Sequence, residues 1–211
     1  MSQIDISNVK VSGFEAAIRG MRNSRQSWMK SDTDDLIIGE RDLELASKLA
    51  KAGGSHAKFR RMIHVQMDID APLYWWKEFD TYKVGTTANS TSTMYNITSR
   101  EFTIEDFATE RILSPEAAKY WMNTIDTLNF MRKLHNNPNV EFVQKFGYWR
   151  EIIQILPESY KQLRTVDLNY EVISHIVKER KGHKLLEWGM FINKMRELPY
   201  SKELIFCEEQ K

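Results

Sequence analysis

The sequence has few of the residues that build disulfides and metal sites. It contains one cysteine, Cys207, among 211 residues, so an internal disulfide is excluded. Its five histidines are scattered, and neither a His-x-x-x-His nor a Cys-x-x-Cys spacing occurs. We therefore expect no metal site, and the lone cysteine is a poor candidate for a catalytic nucleophile.

An excess of one charge and long apolar runs are also lacking. Lys and Arg total 30 against 29 Asp and Glu, so no general basic surface is expected to attract nucleic acid. An anionic ligand would have to be held by local charges. No apolar run approaches the ~18 residues of a membrane span, and residues 1–7 do not resemble a secretory signal. We expect a cytoplasmic protein with no membrane partner.

Glycine-rich nucleotide motifs are missing too. The sequence has no Gly-x-Gly-x-x-Gly and no Walker loop, so a dinucleotide, if bound, is held in another way. The length and the 42% hydrophobic content are typical of one domain, which we expect to span residues 1–211.

Hydrophobic periodicity predicts helices around one clear strand. The helices are expected over residues 40–52, 114–135, 142–156, 169–180 and 184–197. Apolar and polar residues alternate over 63–70, which predicts a half-buried strand, and a short strand is plausible over 162–167. Because the strands are few and lack regular crossover helices, the pattern indicates the α+β class.

Residues 70–95 join an aromatic helix to a polar stretch. Asp70 is predicted to cap the helix, Pro72 to lie in its first turn and Gly85 to end it. Over 86–93 every side chain but one carries a hydroxyl or an amide, which predicts a polar loop. Such a loop could surround a phosphate or a pyrimidine ring, although a solvated turn is the alternative.

Several short motifs then follow one another in a familiar order. Residues 24–28 read Ser-Arg-Gln-Ser-Trp, residues 54–56 read Gly-Ser-His, and Ala71-Pro72 ends the predicted strand. The polar stretch then contributes Thr87, Asn89, Ser92 and Tyr95. Ile-Leu-Pro occupies residues 155–157. Over residues 20–197 this order resembles the flavin-dependent thymidylate synthases.

The resemblance implies both a fold and an activity. The fold would place helices on a small, mainly antiparallel sheet. The activity would be methylation of dUMP to dTMP by a homotetramer that binds FAD and uses NADPH and methylenetetrahydrofolate as co-substrates.

The resemblance also implies site residues, and Arg180 falls on the family's catalytic, substrate-activating arginine. The implied flavin contacts are Ser27, His56, Lys83, Asn89, Asn169, His175 and His183. The implied substrate contacts are Glu78, Ser90, Thr91, Ser92, Arg150 and Arg180. Without the resemblance, Asn169 could simply cap its helix, and Arg180 could simply favour the helix dipole.

The diagnostic signature of the family is incomplete in this chain. Its Arg-His-Arg falls on 81–83 or on 82–84, and Lys83 is the only cation there in either register. The signature's Glu is replaced by Ser90, and its last Arg by Met94. A divergent homologue that binds a flavin or a nucleotide, with lost or altered activity, is therefore the alternative. A helical interaction protein without a cofactor is a third possibility.

Cations elsewhere could compensate for these losses. The family's Arg before Leu-Pro is Ile153 here, but Arg150 lies one helical turn earlier and could reach the same phosphate. Arg60, Arg61 and Arg164 are further candidates.

Overall fold

The computed structural model describes residues 4–34, 37–109 and 114–207. Its α-helices are α1 (Phe14–Met21), α2 (Glu40–Ala52), α3 (Leu73–Phe79), α4 (Thr93–Asn96), α5 (Pro115–Asn136), α6 (Phe142–Ile155), α7 (Tyr170–Arg180), α8 (Leu186–Met195) and α9 (Ser201–Leu204). Short 3₁₀ helices occupy Asn23–Arg25, Trp28–Lys30, His56–Met62 and Ile104–Asp106. The strands are β1 (Asp5–Ser12), β2 (His64–Pro72), β3 (Thr86–Ser90) and β4 (Lys161–Asn169).

Within these residues the four strands form one antiparallel sheet in the order β1-β2-β4-β3. The predicted α+β class and the antiparallel sheet implied by the resemblance are confirmed. Across the same part of the chain, no helix combines the length and the apolar character that crossing a membrane requires.

Strand β2 has the alternation that its sequence predicted. Its buried side chains, together with the residue just before the strand, are Ile63, Val65, Met67 and Ile69. The polar side chains between them lie on the other face, where Asp68 accepts a 2.6 Å hydrogen bond from the Thr165 hydroxyl of β4. Asn8 of β1 donates to the same carboxylate at 2.6 Å. Polar contacts thus join β2 to both of its neighbours in the sheet.

The junction after β2 differs from the prediction. Asp70 does not cap a helix, because it belongs to β2, and α3 already ends at Phe79 rather than at Gly85. The prediction of a polar loop was wrong for Thr86–Ser90. These residues form the edge strand β3 beside β4. Threonine suits an extended strand because its side chain is β-branched, and an edge strand tolerates polar side chains on both faces.

Strand β1 was missed because its sequence lacks a buried face. Every residue from Asp5 to Ser12 is exposed or half-buried, so no apolar alternation marks the strand.

The described residues form two compact units. The first unit contains Asp70–Glu78 and Ser90–Arg164, together with Ile4 and Asp5. The second unit contains Ile6–Ile69, Phe79–Asn89 and the chain from Thr165 onward.

The first unit has its own apolar core around α5 and α6. The buried members of the core are Ile97, Phe102, Phe107, Leu128 and Ile152. Ser114 begins α5 as predicted, because its hydroxyl accepts a 3.1 Å hydrogen bond from the Ala117 amide. Trp75 is fully buried, as predicted for a core residue, and the Trp76 indole nitrogen donates to the Gln162 carbonyl at 2.9 Å.

In the second unit, a glycine allows α1 to approach the 3₁₀ segment His56–Met62. Gly13 has a φ of 92°, and a Cβ atom there would lie 2.1 Å from the Met62 carbonyl oxygen. No other residue fits this position without a shift of the backbone. The close approach places α1 beside the segment that carries His56.

A buried ion pair fixes the segment that follows α1 to helix α2 in the second unit. Arg22 is 5% exposed and Asp42 is 0% exposed, and Arg22 Nε donates to the Asp42 carboxylate at 2.5 Å. The hydroxyls of Ser31 and Thr33 donate to the other carboxylate oxygen at 2.6 and 2.7 Å. Burial alone would raise the pKa of Asp42, but the hydrogen bonds from Ser31, Thr33 and Arg22 lower it to about 2.

Because of this carboxylate, the free energy of unfolding is expected to decrease when the pH is lowered. The pKa of Asp42 is about 2 when folded and 3.8 for an ordinary aspartate, so its contribution is complete above about pH 5 and is lost as the pH falls toward 2. That difference corresponds to about 2 kcal/mol. Replacement by Asn also leaves Arg22 buried without its ion-pair partner, so Asp42→Asn should lower the free energy of unfolding by about 3 kcal/mol or more at neutral pH.

Urea unfolding between about pH 7 and pH 3 measures both effects. The control is Glu40→Gln, which removes an exposed carboxylate from the first turn of the same helix. A variant Asp42→Asn as stable as the wild type, with the same dependence on pH, would contradict the assignment.

Candidate functional site

The residues implicated by the sequence divide between the two units. The second unit holds Ser27, His56, Lys83, Asn89, Asn169, His175, Arg180 and His183. The first unit holds Glu78, Ser90, Thr91, Ser92 and Arg150.

Three of the implicated residues in the second unit line one cavity, which we call the Lys83 cavity. Its volume is about 630 Å³, and Lys83, Asn169 and His175 all contribute to its wall. The remaining lining residues are Arg61, Thr81, Tyr82, Val84, Gly85, Glu171 and Val172. Residues far apart in sequence therefore meet in this cavity.

The wall formed by Asn169 depends on a glycine opposite it. The Asn169 side chain accepts a 3.1 Å hydrogen bond from the Val172 amide and so caps α7, as its alternative interpretation predicted. Gly85 has a φ of +76°, and a Cβ atom there would lie 2.8 Å from Asn169 Nδ2. The turn before β3 can thus approach the helix cap only with glycine at this position.

Arg180 is held at the end of α7 by aromatic and polar partners. Its Nε donates to the Tyr82 hydroxyl at 2.8 Å, and its guanidinium carbon lies 4.8 Å from the centre of the Trp188 ring. The Tyr82 ring makes an edge contact with His175 at 5.9 Å between ring centres. Tyr82 therefore connects Arg180 to the Lys83 cavity.

Two hydrogen-bond donors, Arg180 and the Leu185 amide, lie close to the His183 ring. Arg180 Nη1 lies 3.3 Å from His183 Nε2, and the Leu185 amide lies 3.2 Å from His183 Nδ1. A neutral imidazole has one acceptor nitrogen, so His183 accepts from only one of these two donors at a time.

A second cavity in the same unit, which we call the His56 cavity, has a volume of about 930 Å³. The polar part of its lining consists of Arg19, Asn23, Ser24, Ser55, His56, Lys58 and Arg61. Ser24 belongs to this lining, whereas Ser27 does not. Ser27 lies beside Arg22, whose Nη1 is 3.4 Å from the Ser27 carbonyl. Asn89 is exposed on β3, outside the linings of both cavities.

The first unit contains a smaller cavity, which we call the Thr91 cavity, of about 350 Å³. Thr91 and Ser92 line it, but both hydroxyls already have structural partners. Thr91 donates to the Leu163 carbonyl at 3.2 Å, and Ser92 accepts from the Tyr95 amide at 3.3 Å to cap α4. Of the other implicated residues in this unit, Glu78 is half-buried, whereas Ser90 and Arg150 are exposed, and all three lie outside this lining.

Acidic groups outnumber basic groups in the Thr91 cavity. Its charged lining residues are Asp70, Arg100, Glu105, Asp106 and Lys161. Arg100 pairs with the buried carboxylate of Asp106, and Lys161 Nζ lies 3.7 Å from Asp70 Oδ2. Burial raises the pKa of Asp70, although Lys161 opposes that shift. The balance of charge makes this cavity a poor phosphate site by itself.

Comparison with known proteins identifies the architecture. No protein-family model matches the chain, and no curated protein matches it significantly. One similar solved structure is the flavin-dependent thymidylate synthase ThyX from Helicobacter pylori complexed with FAD and dUMP, with a TM-score of 0.70 and 15% identity over 97% of this chain and 98% of that one. A second structure of that enzyme with FAD and dUMP has a TM-score of 0.70 and 16% identity over the same shares.

The chain has the fold of the flavin-dependent thymidylate synthases. The fold implied by the order of the motifs is therefore confirmed. Because the identities are 15% and 16%, this likeness concerns the fold, and the roles of individual residues remain predictions.

Within this fold, the three proposed compensating cations have different surroundings. Arg60 is buried and donates to Glu171 at 2.7 Å through Nε. Arg164 lies over the Trp76 ring at 4.2 Å and donates to Gln162 at 3.0 Å. Arg61 alone among the three lines the Lys83 and His56 cavities.

Other residues of these cavities were missed in the sequence. Arg19 and Lys58 line the His56 cavity, and Tyr82 holds Arg180. Lys58 had a local signal, because it lies two positions after His56 and begins a basic stretch that continues to Arg61. The Tyr82 contact had none, since Arg180 lies 98 positions away along the chain.

We expect Gly85→Ala to disturb the Lys83 cavity. A positive φ strains alanine, and its Cβ atom would collide with the Asn169 side chain that caps α7, so the free energy of unfolding should fall by about 1–3 kcal/mol. Urea unfolding measures this change. The control is Gly189→Ala in α8, where nothing lies within 4 Å of the added atom, and this variant should be unchanged or more stable. Equal stability of the two variants would refute the close approach.

Proposed function

We propose that this protein is an FAD-dependent enzyme that methylates dUMP to dTMP. Methylenetetrahydrofolate would supply the carbon unit and NADPH the reducing equivalents, in the cytoplasm. One arrangement in a chain with this fold carries the proposal. Tyr82 holds Arg180 beside the Lys83 cavity. The same cavity is lined by Lys83, Asn169 and His175.

The chemistry of Arg180 suits the role that the resemblance gives it. Adding carbon to the uracil ring requires stabilisation of the negative charge that develops on that ring. A guanidinium is planar and always charged, and contacts with Tyr82 and Trp188 restrict its orientation. Arg180 could thus meet the developing charge without reorganising.

The residues of the second unit are compatible with a flavin. The Lys83 cavity combines two cations, one carboxylate, and amide and imidazole groups with the apolar side chains of Val84 and Val172. Its volume of about 630 Å³ falls within the usual range for ligand sites. Bound flavin would supply the redox chemistry that amino-acid side chains lack.

The environment of the cysteine also favours flavin chemistry over a thiol nucleophile. Cys207 is only 3% exposed. A thiol buried to this extent is not accessible to a pyrimidine substrate, so Cys207 is not suited to act as the nucleophile.

A second candidate is a divergent homologue that binds a flavin or a nucleotide with lost or altered activity. Ser90 and Met94 replace charged residues of the signature. The Thr91 cavity, next to that segment, carries more acidic than basic side chains. Both features weaken phosphate binding by the first unit and favour this alternative.

Self-association is part of the proposal. Helices α5 and α6 expose large apolar side chains to an extent that is unusual for a free surface. These side chains are Tyr120, Met122, Phe130, Phe142, Val143, Phe146 and Ile155. A homotetramer would bury part of this surface.

Arg180→Ala is expected to separate substrate binding from flavin binding. The purified wild type should be yellow or take up FAD, and the variant should retain FAD while turnover falls by about 10²–10³-fold. Flavin absorbance measures FAD retention, isothermal titration measures dUMP affinity, and an assay of dTMP formation measures turnover. Arg180→Lys is the matched control, which keeps the charge without the planar fork and should recover only part of the activity.

Growth of thymidine-requiring cells distinguishes the candidates. Rescue by the wild type supports thymidylate synthesis, and FAD binding without rescue selects the divergent homologue. A colourless protein that takes up no FAD would exclude both and leave an interaction protein.

We expect a tetramer in solution. Light scattering after size-exclusion chromatography should give about four times the mass of 24.9 kDa. Phe142→Ser should weaken assembly, because Phe142 is 82% exposed and contributes apolar area without being part of the core. The control is Lys51→Ser, which changes an exposed side chain of α2 outside the proposed surface, and a monomeric wild type would refute this prediction.

A further inference from the structure

Arg61 lines both cavities of the second unit. It contributes to the wall of the Lys83 cavity and to that of the His56 cavity. A single elongated ligand that enters both cavities must therefore pass this side chain.

The His56 cavity has the chemical character of an anion site. Its lining includes three basic side chains, those of Arg19, Lys58 and Arg61, and no Asp or Glu among the described residues. In contrast, the Thr91 cavity has three carboxylates and two basic groups. The electrostatic field of the His56 cavity thus favours phosphate groups, which cations and hydroxyls bind well.

The same cavity also has an apolar part, formed by Met21, Leu49, Phe59 and Met62. Ser24, Ser55 and Asn23 add polar groups that can act as donors and acceptors. Cations beside apolar surface suit a ligand with both phosphates and a flat ring, which is the composition of a nucleotide.

The contacts of the neighbouring residue, Arg60, explain why Arg61 faces the cavities. Arg60 is 5% exposed, and its guanidinium contacts Glu171 at 2.6 Å and the Leu204 carbonyl at 2.8 Å. These contacts fix the 3₁₀ segment and place the exposed Arg61 in the walls of the cavities. They also offset the charge of Glu171, the one carboxylate in the lining of the Lys83 cavity as described.

We propose that Arg61 contacts the diphosphate of a dinucleotide cofactor that extends from the Lys83 cavity into the His56 cavity, with Arg19 and Lys58 supplying further positive charge. The inference rests on the proposed function, because it takes that cofactor to be FAD. The diphosphate is the middle of such a molecule, and Arg61 is the residue common to the two cavities. These cations would replace those that the signature has lost around Lys83.

Binding measurements with ligands that differ in phosphate content test the proposal. Arg61→Gln should weaken FAD binding by about tenfold to a hundredfold, because it removes charge-assisted hydrogen bonds to phosphate. Riboflavin carries no phosphate, so its binding should change by less than about twofold. Arg61→Lys should recover part of the affinity for FAD. Lys51→Gln is the control for net charge, because Lys51 is an exposed residue of α2 outside both linings.

Fluorescence titration of FAD and riboflavin gives these affinities, and calorimetric titration with ADP provides a probe without flavin. Selective loss of FAD and ADP affinity in Arg61→Gln supports the proposal. Equal FAD affinity in Arg61→Gln and the wild type overturns it and leaves the proposed function intact. ADP binding that depends on Arg61 without any flavin binding supports a diphosphate site here and overturns the flavin function. A wild type that binds neither ligand overturns both.

Discussion

The contacts of Arg60 hold together the part of the second unit that carries the candidate site. Its guanidinium meets Glu171 and Ser174 of α7, and it also donates to the Leu204 carbonyl at the end of α9. One side chain therefore connects the segment His56–Met62 to two helices. Because Arg60 is buried, losing these partners would leave a buried charge without its hydrogen bonds, so this connection is difficult to break without disturbing the unit.

Several features of the site follow from that connection. Helix α7 begins at the Asn169 cap and ends at Arg180, so fixing its first turn also orients the guanidinium at its end. The same contacts hold the backbone at Arg61, which lines both cavities. The buried Arg22–Asp42 pair has a similar structural role in the same unit, because Arg22 also contacts the Ser27 carbonyl.

Local signals in the sequence predicted much of the fold. The alternation over 63–70 predicted β2, and the Ser-Pro start at Ser114 predicted α5. Strand β3 was not predicted, because Thr86–Ser90 becomes a strand only through pairing with β4, and that pairing joins distant parts of the chain. The order of short motifs carried more information about the fold than composition did, since composition is shared by many α+β proteins.

The sequence by itself determined the approximate bounds of the five longest helices that the structure describes, the α+β class and the loss of cations from the signature, because each depends on residues close together in the chain. Only the tertiary structure decided which of two adjacent arginines faces a cavity. Arg60 and Arg61 are equivalent as sequence, but Arg60 finds its carboxylate 111 positions away at Glu171. The partners of a charged side chain are set by packing between distant segments, and the role of that side chain is set with them.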